Sequence, residues 1–144
     1  MKGILNILFL SLMMLSSTKV DNWEIFARVK FNPKFYKEVN EYFLFPEMTK
    51  EIKALEGKPL TLTGYYLPYD LPDKNSIVLS RYPYSSCFFC GGAGPESVAE
   101  IVFSSVRPKI KADKIVTVTG TLKLNDSDIN HLNFILKNAS IKTP

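Results

Sequence analysis

Two cysteines in one short aromatic segment are the residues of this chain best suited to chemistry. Cys87 and Cys90 are its only cysteines, and they have the spacing C-x-x-C. Thiols at that spacing can form a tight disulfide, act as a redox couple, or supply half of a soft-metal site. The segment therefore identifies one candidate site with three alternative chemistries.

A Cys87–Cys90 disulfide would close a very short loop. Chain entropy gives such a loop only about 2 kcal/mol of stabilisation, at the low end for natural disulfides. Short loops also strain the bond and make it easier to reduce. An exported chain with an even number of cysteines is nevertheless usually oxidised, so we predict the disulfide.

A metal site is the alternative for the same pair, although our first expectation is that the chain binds no cofactor. A closed zinc site takes four ligands, and the chain offers Cys87, Cys90 and its single histidine, His131. A carboxylate such as Glu96 or Glu100, or water, would have to complete the shell. Two thiolates are also compatible with Cu(I), so the alternative metals are zinc and Cu(I).

Thiol redox chemistry of the thioredoxin type fits the segment less well. That chemistry places the first cysteine at the N-terminus of a helix, which lowers the pKa of the thiol. Here Gly91-Gly92 and Gly94-Pro95 follow the cysteines, so a helix cannot start promptly. Gly91 also stands where covalent haem attachment needs histidine.

Four aromatic residues surround the cysteines and form a second candidate site. Exposed aromatic side chains on a small β-barrel can stack on bases or sugars, although such residues more often pack loops or cores. The sequence contains no Ser-His-Asp arrangement, phosphate-binding loop, dinucleotide fingerprint or paired-carboxylate motif. We therefore predict a protein that is not an enzyme, with speculative binding residues Tyr82, Tyr84, Phe88 and Phe89.

The N-terminus has the three parts of a secretory signal. Lys2 precedes an apolar run from Gly3 to Leu15, and small residues follow it. The run is too short for a bilayer, which needs about 20 apolar residues, and no later segment could cross a membrane. We predict a signal peptide over residues 1–17, a single domain over residues 18–144, and a periplasmic or secreted location.

The charge pattern argues against a dedicated nucleic-acid-binding protein. The net charge of +4 falls to +3 without Lys2, and basic residues are scattered among acidic ones. A nucleic-acid-binding domain usually shows a basic stripe, which is missing here. The expected partner is therefore an unidentified envelope protein or a small ligand.

The first part of the domain combines mixed signals. Residues 23–31 alternate in hydrophobicity, which predicts a strand that Asn32-Pro33 should end. Residues 34–45 are ambiguous between helix and strand. A short helix should follow Pro46 and end at Gly57, which can adopt the left-handed conformation of a helix cap.

The rest of the chain predicts β-structure. A glycine lies inside each of two similar alternating strands, Gly64 and Gly120, where it can mark a bend. The apolar positions of the last strand change parity between Leu136 and Ala139, which indicates a bulge. The predicted strands cover residues 60–67, 76–81, 99–103, 115–124 and 134–141.

Bent strands allow a small sheet to close into a barrel. Five strands with a longer excursion between the third and fourth predict a mainly β protein, an OB-like barrel of five to six strands with one short helix. The excursion, residues 104–114, is short for a full helix, and a small β-sandwich is the alternative fold.

Several segments resemble a family of small exported bacterial proteins that is catalogued as a domain of unknown function. The resemblance lies in Leu55-Glu56-Gly57-Lys58, in the run from Leu62 to Pro68, and in the run from Tyr84 to Gly91. Residues 94–100 and 122–126 look most like versions from Bacteroidetes-type bacteria. The resemblance spans roughly residues 20–142 and implies an exported OB-like barrel without implying an activity.

Residues and resemblance together predict an exported, non-enzymatic binding or assembly module of the bacterial cell envelope. The alternative is a metal-binding or thiol-redox envelope protein that uses Cys87 and Cys90, with His131 as a third metal ligand. A nucleic-acid-binding OB domain is disfavoured by export and by the mild charge.

Overall fold

The computed structural model describes residues 21–142, so the predicted signal peptide lies outside the described residues. The described chain is mainly β-structure, with short helices at a few positions. In chain order its helices and strands are α1 (Trp23–Ala27), β1 (Lys30–Tyr36), β2 (Glu41–Glu47), α2 (Lys50–Lys53), β3 (Pro59–Leu67), β4 (Ser76–Ser80), β5 (Val98–Phe103), β6 (Ile115–Leu124) and β7 (Phe134–Lys142).

Five of the strands form a closed barrel in the order β3-β4-β5-β7-β6, and β6 pairs with β3 to close it. The β5–β7 pair is parallel, and the other pairs are antiparallel. A five-stranded closed barrel with this order is the OB type of architecture. The predicted barrel is confirmed, and the alternative of a β-sandwich is wrong.

Alternation of side chains along β3 and β6 separates the barrel interior from its surface. Val118 and Leu122 are buried in the core, as their strand pattern predicts. On the outer face, Thr61 pairs with Thr119 through a hydroxyl contact of 2.7 Å. Cross-strand threonine pairs of this kind stabilise the register of neighbouring strands.

Two glycines in the barrel strands lie where a side chain would collide with the neighbouring strand. A Cβ atom at Gly120 would lie 2.9 Å from the Lys137 carbonyl oxygen, and one at Gly64 would meet the Ser80 carbonyl oxygen. The β6–β7 register shifts beside Gly120, and Asn138 has a φ of 51° in the extra residue of β7. The predicted bulge in the last strand is therefore confirmed.

The predicted first strand, residues 23–31, is wrong over most of its length. Trp23 to Ala27 forms α1, which buries Trp23 and Phe26, and Val29 is buried just after the helix ends. Phe26 stacks on Phe134 of the barrel with ring centroids 4.0 Å apart. Burial of Phe26 against the barrel core thus outweighs the alternating pattern that suggested a strand.

The predicted break at Asn32-Pro33 is also wrong, because Pro33 lies inside β1 opposite Leu44. The ambiguous residues 34–45 form the turn and strands of a hairpin, which we call the β1–β2 ribbon. This two-stranded sheet is separate from the barrel sheet. A proline is tolerated because each strand of a ribbon has one edge without a neighbouring strand.

The predicted short helix is confirmed as α2. Thr49 caps its N-terminus by accepting a hydrogen bond from the Ile52 amide, and Ile52 is fully buried. Gly57 has the predicted left-handed conformation, with φ at 79°. Two α-helices are present in residues 21–142 instead of one, since α1 replaces a predicted strand. Neither helix has the length and apolar character needed to cross a membrane.

Candidate functional site

Residues 81–97, which we call the cover segment, lie against the outer face of β4 and β5. Val78 and Val98 point away from the barrel core, since their strand neighbours point into it. They form a second apolar cluster with Leu67 and Cys87. The outer face of the corresponding strands is a ligand surface in OB barrels, so this chain covers much of that surface with its own cysteine segment.

The cover segment brings the two cysteines together. Their Sγ atoms are 3.6 Å apart, with Cys87 fully buried and Cys90 exposed. The Cys90 amide donates a hydrogen bond to the Cys87 carbonyl at 3.2 Å, and Gly91 follows in the left-handed conformation. Both cysteines are thiols in the structure, and a small approach would bring them to the bonding distance of about 2.0 Å. The disulfide stays a prediction.

The environment of Cys90 does not favour a thiolate. Its hydrogen bond with Cys87, together with partial desolvation and the nearby Cys87 thiol, raises the pKa of Cys90. Cys87, the first cysteine of the pair, precedes a 3₁₀ turn of only three residues, Phe88–Cys90, instead of the helix that thioredoxin-type chemistry uses. A reactive cysteine usually has a lowered pKa, so this geometry differs from that of a thioredoxin-type nucleophile.

The three residues of the predicted metal shell are not brought together. No group of three or more His, Cys, Asp or Glu side chains in residues 21–142 is arranged to hold a metal ion. His131 lies beside the Glu100 carboxylate instead of joining Cys87 and Cys90.

Three of the four predicted aromatic residues, Tyr84, Phe88 and Phe89, belong to one group of contacting rings. Tyr84 and Phe89 contact Tyr69 of the β3–β4 loop, with ring centroids 6.0 and 4.2 Å away. The hydrogen bond to Tyr84, with partial desolvation, raises the pKa of Tyr69. Phe88 packs against the second apolar cluster. Its ring centroid lies 5.3 Å from that of Phe89, so the aromatic rings of this group together fix the cover segment to the barrel.

Tyr82 lies apart from the other three aromatic residues. Its ring lies 5.8 Å from the Arg81 guanidinium, and both residues line an opening of about 620 Å³ between α1 and β3. Arg81 forms ion pairs with Asp21 and Glu24. Because its guanidinium is already paired with two carboxylates, this opening offers little uncompensated positive charge to a ligand.

A more enclosed cavity of about 310 Å³ separates the β1–β2 ribbon from the loop that joins β6 to β7, residues 125–133. Its walls are mainly aliphatic and aromatic, and its volume lies at the lower end of the range for ligand pockets. Phe88 is the one predicted binding aromatic that lines it. The lining residues are Tyr42, Phe43, Leu44, Phe45, Phe88, Pro95, Val98, Ser127, Asp128, Ile129, His131, Leu132 and Asn133.

A buried carboxylate orients the histidine of this cavity. Glu100 of β5 is only 1% exposed, and its oxygens lie 3.0 and 3.1 Å from Nδ1 of His131. The Leu132 amide donates a further hydrogen bond to the same carboxylate at 3.3 Å. Since Nδ1 faces Glu100, Nε2 is the ring nitrogen left to contact a ligand. A carboxylate that orients an imidazole fixes both its ring position and its polarity.

The cavity rim carries one carboxylate, that of Asp128. A hydrogen bond from the Asn130 amide at 2.9 Å, followed by one from its side chain, lowers the pKa of Asp128 and keeps it ionised. Ser127 shares the rim, but within the described chain its hydroxyl makes no hydrogen bond to His131. The His131–Glu100 pair therefore lacks the contact to a hydroxyl nucleophile that a catalytic triad requires.

The sequence patterns did not predict the cavity, although one of them pointed to the buried carboxylate that orients its histidine. Glu100 is a charged residue within the apolar strand Val98–Phe103, and a carboxylate is rarely buried unless it is paired. The sequence suggested His131 as a third metal ligand, yet its partner is Glu100, which is 31 residues away in the chain. Only the arrangement of β5 against loop 125–133 brings the two together.

Comparisons with known proteins add no assignment. No protein-family model matches the chain, and no curated protein or solved structure shows significant similarity to it. The resemblance to an exported bacterial family therefore stays a prediction, and the function has to be argued from the site.

Proposed function

We propose that this protein is an exported, non-enzymatic binding module that holds an apolar ligand in the cavity between the β1–β2 ribbon and loop 125–133. The observation that carries the proposal is the cavity of about 310 Å³, which combines apolar walls with the oriented His131. Ligand sites typically have such walls and a few placed polar groups. Apolar contact would supply most of the affinity, and His131 would set the orientation of the ligand.

The position of the cavity in the barrel supports the same proposal. OB barrels bind ligands at the outer face of their second and third strands and at the loop between the fourth and fifth. Those elements correspond to β4, β5 and loop 125–133. The cover segment occupies part of this surface, and the cavity lies beside it, with Val98 of β5 and loop 125–133 in its lining. Placement of the module in the envelope rests on the signal-like N-terminus.

Thiol chemistry remains the second candidate, because the two Sγ atoms lie only 3.6 Å apart. In that function Cys90 would be the accessible thiol and Cys87 its buried partner. The raised pKa of Cys90 disfavours a fast nucleophile, so we assign the pair a structural role in the proposed binding module.

A neutral apolar fluorophore tests the binding function. Titration of the secreted chain with N-phenyl-1-naphthylamine should give a saturable fluorescence increase at one site. Leu44→Arg, which places a charge at the cavity wall, should weaken binding by about tenfold or more. Val39→Arg is the matched control, because Val39 is 45% exposed, Leu44 is 46% exposed, and only Leu44 lines the cavity.

Circular dichroism melts should show that both variants stay folded. The proposed site would be contradicted if Leu44→Arg bound the fluorophore as tightly as the wild type. It would also be contradicted if the wild type showed no saturable binding. Ile129→Arg supplies an independent variant on the opposite wall, and it should weaken binding like Leu44→Arg.

A further inference from the structure

The cavity runs along the edge of β2. It contacts four consecutive residues, Tyr42 to Phe45. Successive side chains of a strand point to opposite faces, so a cavity on one face would contact only alternate residues. Contact with all four places the cavity beside the strand backbone. The other edge of β2 is occupied by β1, so the cavity faces the edge that β1 leaves open.

The backbone along that edge has hydrogen-bonding capacity to spare. β2 pairs with β1 over its full length, and the two strands form a sheet of their own. Within residues 21–142, no other backbone group bonds to the backbone of residues 41–47. Half of the amides and carbonyls of a strand point to each edge, so those on the open edge of β2 can pair with an added strand.

The charge at the cavity indicates what such a strand would carry. Among the described lining residues, Asp128 is the only one with a carboxylate, and its lowered pKa keeps it ionised. The carboxylate of Glu100 is satisfied separately by His131 and the Leu132 amide. The charge left to be complemented at the rim is therefore negative, which favours a cationic group beside an apolar one.

We propose that the cavity binds an extended peptide, which adds as a third strand to the open edge of β2. Its alternate apolar side chains enter the cavity, and a Lys or Arg lies opposite Asp128. This inference rests on the proposed binding function and names the ligand class. The stretch Tyr42–Phe45 offers about 13 Å of edge at roughly 3.3 Å per residue, so four to six peptide residues suffice.

A displayed library of random octapeptides supplies the probe. Selection on the immobilised secreted chain should enrich peptides that alternate apolar residues and contain Lys or Arg. The synthetic form of the most enriched peptide should lose affinity by about tenfold or more when alternate backbone amides are N-methylated in one frame. Methylation in the other frame should have little effect, because a strand donates hydrogen bonds to its neighbour from alternate residues only.

Charge variants test the cation. Replacing the peptide Lys or Arg by norleucine should weaken binding to the wild type by about fivefold. The same replacement in the peptide should change its affinity for the Asp128→Asn variant very little. That variant keeps the side-chain oxygen that accepts the hydrogen bond from Asn130. Asp126→Asn is the matched control on the same loop, because Asp126 does not line the cavity, and it should behave like the wild type.

Three results would overturn the inference. They are equal effects of N-methylation in both frames, unchanged peptide affinity in Leu44→Arg, and a dimer by analytical ultracentrifugation that Leu44→Arg disrupts, since a second copy would then occupy the edge. The fluorophore and peptide experiments together distinguish failure of this inference from failure of the proposed binding function. If the fluorophore binds but no peptide is enriched, the peptide inference alone is wrong, whereas the absence of both kinds of binding removes both.

Discussion

The redox state of Cys87 and Cys90 should control the stability of the domain. If the thiols oxidise to the predicted disulfide, they lose two electrons and two protons to an external oxidant and close a four-residue loop. Chain entropy then assigns about 2 kcal/mol to the cross-link at 25 °C. For a domain of this size, that difference corresponds to roughly 8 °C in melting temperature.

The structure adds an asymmetry between the two cysteines. Cys87 is fully buried with Leu67, Val78 and Val98, so Cys87→Ser places a hydroxyl in an apolar cluster. That change should cost about 1–3 kcal/mol even in reduced protein. Cys90 is exposed, so Cys90→Ser should leave the reduced protein almost unchanged and remove only the contribution of the cross-link.

Urea denaturation with and without a phosphine reductant measures these differences. Reductant should lower the free energy of unfolding of the wild type by about 2 kcal/mol and have no effect on either single variant. Oxidised wild type should be the most stable form, followed by reduced wild type together with Cys90→Ser, and then by Cys87→Ser. Alkylation followed by mass spectrometry counts the thiols in each sample.

Two alkylatable thiols after aerobic purification, with a denaturation midpoint that the reductant leaves unchanged, would refute the disulfide. Tightly bound zinc or copper in the same sample would then support the alternative metal function. An equal cost for Cys87→Ser and Cys90→Ser in reduced protein would contradict the burial asymmetry instead, because only Cys87 lies in the apolar cluster.

Three further predictions concern the fold and the processing of the chain. Gly120→Val should destabilise the domain by roughly 1–3 kcal/mol, because its Cβ would crowd the Lys137 carbonyl, while the neighbouring Thr119→Ser should cost much less in the same urea assay. Phe26→Ala should cost about 3–5 kcal/mol through the lost contact between α1 and the barrel, whereas an equal loss in an exposed phenylalanine variant would contradict that role. Intact mass of the exported protein should place its N-terminus between Ser17 and Asp21, and a chain that starts at Met1 would refute the signal peptide.

The barrel was largely predictable because its strands carry local signals. Alternation in β3 and β6 separates Val118 and Leu122 from outward threonines, and each pattern holds within one strand. The parity change in β7 predicted its bulge, and Gly120 marked a position where a Cβ atom would crowd the backbone of β7. These features depend on residues that are close together in the sequence, so the hydrophobic periodicity of a single segment can predict them.

The N-terminal elements were not predictable in the same way. Alternation at residues 23–31 favoured a strand, but in the folded chain Phe26 is fully buried on α1 and stacks on Phe134. The partner of Phe26 is 108 positions away in the chain, so no local pattern reports it. Likewise, Pro33 breaks most strands, and its place in an edge of the β1–β2 ribbon depends on a strand pairing that forms only in the folded chain.

The sequence alone determined the candidate cysteine pair, the five barrel strands and the signal-like N-terminus, because composition and short spacings specify these features. Tertiary structure decided which residues form a site. It buried Cys87, separated Tyr82 from the other aromatic residues, and set His131 against Glu100 rather than against the thiols. Each of these outcomes depends on strand order and loop packing, and the cavity beside β2 exists only because the ribbon and loop 125–133 meet across the outer face of the barrel.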